Sequence, residues 1–335
     1  MAIRIARRRS RRLPLLLVIV AVGIALLAQA CSTVGTTTDK ASDLREATSV
    51  AGNEVMSYTQ THTPTYTPTP AIPEASPTPT PTVIPEGSRE RVLMQGTPYE
   101  TPLYIRGSGQ NGPRVLVLGG VHGNEPGGWM AALQLVDVSI DRGALFVVPE
   151  ANRLAIEAFS RTTPELGDLN RLYPGDPDGL PMAQMAHQIV SLVKQYDVDV
   201  VIDLHESWGF YQDRASRSTA FLGQTITSYP DDAGRTLAQR VAEAVNVRVL
   251  DPREELVTRD FPSRGTWIEP GGLDSLSDDS QWRSRSSLGF SLYCPGTTAL
   301  LVEMSQQLPL ERRIALHLEV VNEVLRQLGM IDTAS

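Results

Sequence analysis

Short apolar runs alternate along this chain with longer segments whose apolar residues recur at helical spacing. Val115–Leu118 (VLVL), Leu145–Val148 (LFVV), Val198–Leu204 (VDVVIDL) and Ala299–Val302 (ALLV) have the length and β-branching of strands. Several are apolar without interruption, as in a sheet covered on both faces. Between them, Trp129–Val136, Met182–Tyr196, Ala233–Val245 and Arg312–Leu328 carry the helical pattern. Strand-helix alternation of this kind predicts an α/β fold: a three-layer α/β/α sandwich with a mixed, largely parallel sheet. The active site of such a sheet belongs in the crevice beyond the carboxyl ends of its strands.

The first 87 residues follow a different pattern. Arg4, Arg7, Arg8, Arg9, Arg11 and Arg12 precede an uncharged stretch, Leu13–Ala30, and then Cys31. A positive start, an apolar middle and small residues before a break describe an export signal. Ala28-Gln29-Ala30-Cys31 resembles the lipobox of bacterial lipoproteins, in which the Cys is acylated, although Leu usually stands three residues before that Cys. The competing expectation is an uncleaved signal anchor, since the stretch approaches the ~20 residues of a membrane span. Thr61–Pro85 holds eight prolines in 25 residues and should run as an extended polyproline spacer. The expected organisation is residues 1–30 as signal or anchor, 31–87 as a disordered linker and 88–335 as one folded domain. That places the domain in the cell envelope, outside the cytoplasm, with the membrane as partner through an N-terminal lipid or helix.

Charge narrows the function. The 335 residues carry 30 Lys plus Arg against 38 Asp plus Glu, a net charge of −8, and without residues 1–30 the balance is −14. A domain this acidic lacks the basic stripe that phosphate backbones require, so no nucleic acid is expected as partner. Of the two cysteines, Cys31 is the lipidation candidate and Cys294 reads as a buried small residue rather than a nucleophile.

The candidate chemistry clusters where strands end. VLVLGGVHGNEPGG places His122 and Glu125 three residues apart in a Gly-rich loop, and VVIDLHES places His205 at the end of another strand. Two His and one carboxylate with a coordination position left open make a catalytic zinc set, one Zn2+ per chain. A hydrolytic zinc centre also needs a proton carrier and cations for developing charge. Arg161 and Arg171 lie in one loop segment, and an arginine fork matches a carboxylate. Glu303 follows TALLV, where a half-buried carboxylate with a raised pKa suits a general base; alone, it would read as a surface acid at a strand end. His187 and His317 sit within helical patterns and read as packing or surface residues.

HGNEPGG, DLNRLYPG, DLHES and LLVEMS, in this order, resemble the succinylglutamate desuccinylase/aspartoacylase family, within the wider zinc-carboxypeptidase group. The resemblance implies that His122, Glu125 and His205 bind zinc, that Glu303 activates the hydrolytic water and later protonates the leaving amine, and that Arg161 polarises the scissile carbonyl. It further implies that Asn170 and Arg171 grip a substrate carboxylate, with Asp203 and Asp168 as supports. The implied activity is hydrolysis of an amide bond next to a free carboxylate in N-acyl amino acids or peptides. A peptidoglycan or peptide metallocarboxypeptidase and a non-catalytic tethered binding protein are the alternatives.

Two departures from the family pattern shape the expectation of an open cleft. Only 32 residues follow Glu303 and read as one helix, where the cytoplasmic deacylases carry a further β-rich domain. Neither Tyr293 nor Tyr211 stands in a pattern that matches the tyrosine of carboxypeptidases. Specificity should come from loops around Thr225, Arg264–Gly272 and Asp278–Ser287, with Trp267 and Trp282 either lining a pocket or packing.

Overall fold

The computed structural model describes residues 84–214, 220–229, 232–260 and 284–332. Cys31, the rest of the first 83 residues, Trp267, Trp282 and most of the two later loops lie outside them. Eight of the described strands form one sheet in the order β1-β2-β4-β3-β5-β10-β8-β9. They are β1 (Gly87–Leu93), β2 (Thr101–Gly107), β3 (Arg114–Leu118), β4 (Ala144–Val148), β5 (Val200–Ser207), β8 (Thr225–Ser228), β9 (Val257–Asp260) and β10 (Thr298–Ser305). β6 (Gly209–Phe210) and β7 (Phe221–Gly223) pair separately beside them.

The four central strands β4, β3, β5 and β10 are mutually parallel. They are also fully buried, which explains why their sequences are continuous apolar runs. The antiparallel pairs lie outside this centre, β1/β2 and β2/β4 on one side and β10/β8 on the other. Arg and Glu side chains project from the outermost strand β1, whose first six residues are exposed. Charged edges of this kind discourage pairing with another chain.

Alternate residues of the central strands enter two different cores. Leu116, Leu118, Phe146, Val148 and Val201 pack against α3 (Pro181–Gln195) and α5 (Phe290–Tyr293). Val115, Val117, Leu145, Val147, Ile202 and Leu204 pack against α1 (Pro126–Leu135), α4 (Asp232–Asn246) and α6 (Leu310–Gln327). A further short helix, α2 (Arg153–Glu157), follows β4. The architecture is thus the expected three-layer α/β/α sandwich. Asp203, His205 and Glu303 share the strand face that carries Val201, so the site face of the sheet is the α3 side.

Candidate metal centre and active site

His122 reaches the site because the chain turns sharply after β3. At Gly123 a Cβ atom would fall 2.0 Å from the Ala155 carbonyl, so only glycine permits the loop to pack this closely on α2. Glu125 is the N-cap of α1, with Pro126 beginning the helix. His205 lies within β5 rather than after it, and Glu303 lies within β10; the register sets the two side by side.

The three candidate ligands converge. His122 Nδ1 stands 2.8 Å from Glu125 Oε1, His205 Nδ1 stands 2.9 Å from Glu125 Oε2, and the two Nδ1 atoms are 3.0 Å apart. All three side chains are buried, and one ligand atom from each lies within 4.8 Å of the others. Two ligand atoms held about 2.0–2.1 Å from a tetrahedral zinc would be separated by about 3.3 Å, close to the Nδ1 separation here. The outer nitrogens are also occupied, His122 Nε2 by Asp168 Oδ1 at 3.2 Å and His205 Nε2 by Asp203 Oδ2 at 2.8 Å. Carboxylates in these positions fix the ring orientation and raise ligand basicity. Burial alone would lower the His205 pKa, yet Asp203 and Glu125 push it well above its ordinary value. The cluster is built to hold positive charge, and its donor set fits zinc.

Glu303 faces the same space. Burial pushes its pKa up to about 7, with His205 pulling it down, Glu125 pushing it up and Arg259 pulling it down. Its Oε2 has no hydrogen-bond partner among the described residues. An unused, buried carboxylate oxygen beside a metal-ligand cluster is available for a proton.

A cavity of about 500 Å³ opens over these groups, lined by Arg161, Asn170, Arg171, Leu288, Leu301 and Glu303 among others. Arg161 Nη1 approaches His122 Nδ1 to 3.3 Å and Glu125 Oε1 to 3.7 Å. Its Nε and Nη2 donate to Asp168 Oδ2 at 3.2 and 3.1 Å, and Asp168 accepts the Asn170 N–H as the cap of a 3-10 turn, Leu169–Arg171. Arg171 donates to the Asn170 carbonyl at 2.6 Å. Asn170 is more committed than its expected role required: its Oδ1 accepts the Ser287 N–H at 2.9 Å, and its Nδ2 lies 3.5 Å from His205 Nε2.

Several residues without a sequence signal also line the cavity. Arg259 of β9 and Thr227 of β8 come from the far edge of the sheet, and Trp208, 63% exposed, stands at the rim. The segments of Arg259 and Thr227 carry no motif, and only the strand order brings them to the site, whereas Trp208 directly follows the DLHES motif. Tyr293 is excluded from a place over the cavity because its hydroxyl donates to the Ser286 carbonyl and its ring packs on Phe290. Tyr211 instead lies against the Arg259 guanidinium, 5.5 Å from ring centroid to Cζ. Cys294 and His317 are buried, and His187 is exposed.

Residues 111–212 match the model of the succinylglutamate desuccinylase/aspartoacylase catalytic domain. They include every residue singled out above from His122 to His205, but not Glu303. An N-alpha-acetyl-L-2,4-diaminobutyric acid deacetylase from Halomonas elongata is 38% identical over 99 residues, 28% of each chain. Among solved structures, the cell-shape determinant Csd4 of Helicobacter pylori superposes with a TM-score of 0.55 at 23% identity, over 65% of this chain and 52% of that one. The ectoine utilization protein EutE of Ruegeria pomeroyi superposes with a TM-score of 0.53 at 20% identity, over 76% and 71%. The chain thus spans about half the length of the Csd4 chain it matches and 28% of the deacetylase. These structures share the fold. Over residues 111–212 the chain carries the catalytic-domain pattern of the succinylglutamate desuccinylase/aspartoacylase family.

Proposed function

We propose that this protein is a zinc-dependent hydrolase that cleaves an amide bond next to a free carboxylate in N-acyl amino acids or peptides. The observation that carries the reading is the convergence of His122, Glu125 and His205 beside a buried, unpartnered Glu303 oxygen in one cavity. Zinc held by the three ligands would supply a Lewis acid and make water nucleophilic near neutral pH. Glu303 takes the proton of the attacking water and returns it to the leaving nitrogen. Arg161, whose Nη1 comes within 3.7 Å of Glu125 Oε1, would stabilise the oxyanion. Arg171, with Asn170 beside it, holds the substrate carboxylate at the wall of the cavity.

The relatives support both branches of this chemistry: the Halomonas protein is named as a deacetylase, and Csd4 is described as a D,L-carboxypeptidase. The export pattern before Cys31 supports an envelope location with lipid attached to that cysteine. The test is metal content of the purified chain, followed by hydrolysis of N-acyl amino acids and short peptides with and without a chelator. One zinc per chain with chelator-sensitive release of an amino acid is expected. A folded, zinc-loaded protein that cleaves nothing across the panel favours the binding-protein reading. Lipid attachment is checked by labelling with a fatty acid, which Cys31→Ser should abolish.

A further inference from the structure

Glu206, which lines the cavity but keeps its side chain buried, and Arg313 have no part in the chemistry proposed above. Glu206 follows His205 in β5, so its side chain points to the opposite sheet face, between α1 and α6. There its Oε1 accepts the Gly127 N–H at 2.9 Å, while its own N–H donates to Glu125 Oε2 at 3.0 Å. The two segments that present Glu125 and His205 are therefore laced together by reciprocal bonds, each from one segment's amide to the other's carboxylate. Arg313 of α6 pairs with the remaining oxygen, Glu206 Oε2. Gly127 makes the approach feasible, since a Cβ there would fall 2.0 Å from Glu206 Oε1. The Glu206 side chain is wholly buried, and a buried carboxylate is costly unless it is paired and hydrogen-bonded. The Gly127 amide in the first turn of α1, Arg313 and the Gln306 side chain offset part of that cost, though burial still prevails.

We infer that Glu206 and Arg313 are positioning residues for the metal centre. The ion pair keeps Glu206 where its carboxylate fixes the start of α1 and its amide fixes the Glu125 carboxylate against His205. Zinc affinity is thereby set in part from α6, more than 100 positions along the chain. This inference rests on the zinc reading of the site and concerns the geometry of its ligands rather than turnover.

The experiment is zinc affinity of the full chain, read by competition with a chelating dye, alongside the melting temperature. Arg313→Met should raise the Kd several-fold, less than the about 10–100-fold cost of removing a direct partner of a metal ligand, and Arg313→Lys should recover most of it. Cobalt-loaded Arg313→Met should also show a visible absorption band of altered intensity. Arg312→Met is the control: it removes a neighbouring α6 ion pair, to Glu254 at 2.7 Å, that does not line the cavity. It should lower the melting temperature without changing the Kd. If Arg313→Met does not fold, Glu206→Gln decides, because it keeps an acceptor for Gly127 and loses only the charge; weaker zinc binding is expected. Unchanged zinc affinity in a folded Arg313→Met or in Glu206→Gln overturns the inference while leaving the zinc reading intact. A wild-type chain without zinc affinity removes both.

Discussion

Glu303 and His205 are cross-strand neighbours in the parallel β5/β10 register, with side chains on the same face of the sheet. The proposed base and a proposed metal ligand are thus held by backbone ladder bonds in two buried strands. Rigid placement on adjacent strands keeps a base within reach of the water it must deprotonate.

Replacing Glu303 by Gln tests the base role directly. The shape is kept and the ligands are untouched, so zinc stoichiometry should remain at one while kcat falls roughly 10²–10⁴-fold, the usual contribution of general acid-base catalysis. Metal analysis and steady-state kinetics on the same preparation check this. Retention of most activity would remove Glu303 from that role.

The raised Glu303 pKa carries a pH signature in the zinc-free chain. A folded-state pKa of about 7, against an ordinary 4.5, means that folding favours the protonated form. The stability this contributes is fully present below about 4.5 and is lost as pH rises through about 7. Glu206, also raised to about 7 chiefly by burial, acts in the same direction. Zinc-free Glu303→Gln, which cannot ionise, should therefore exceed wild type in stability above pH ~7 by about 3 kcal/mol, and the gap should close toward pH ~4.5. Denaturant unfolding at several pH values measures it; a gap that widens on acidification contradicts the assignment.

Loss of a ligand should separate metal binding from folding. Glu125→Ala should fold but bind zinc far more weakly, and added zinc should no longer raise its melting temperature. Wild type, at a zinc concentration about 1,000 times its Kd, should gain about 4 kcal/mol by linkage. Thermal melts with and without a chelator make the comparison, and an equal zinc-induced shift in both proteins would count against Glu125 as a ligand.

Arg171→Ala addresses substrate recognition. Its main effect should be a raised KM for substrates with a free carboxylate, by roughly 10-fold or more if a charge-assisted pair worth about 1.5–3 kcal/mol is lost. Amidated counterparts should lose much less. Equal losses on both would assign Arg171 to the fold of the Leu169–Arg171 turn instead.

The sequence made the sheet centre and the candidate ligand cluster legible for physical reasons. Val115–Leu118, Leu145–Val148 and Ala299–Val302 are covered by helices on both faces, so burial wrote them as apolar runs. His122, Glu125 and His205 sit in short motifs at strand ends, where local chemistry and local geometry coincide. The flanking strands were harder to see. β1 is charged because it is an exposed edge, and β8 (TITS) is short and polar although buried. Arg259 and Thr227 join the cavity only through the β10-β8-β9 order, a non-local fact that no short pattern encodes. Glu206 was hidden for a similar reason: its partner Arg313 lies 107 residues away.

Because β10 lies between β5 and β8, the site is assembled in two instalments as the chain emerges. His122 in the loop after β3, Glu125 at the start of α1 and His205 on β5 have all been made by residue 205, whereas Glu303 comes 98 positions later. Until β10 slots in, β8 and β9 have no strand linking them to the rest of the sheet. Sequence order thus separates the candidate ligands from the proposed base, which comes beside them only when β10 pairs with β5.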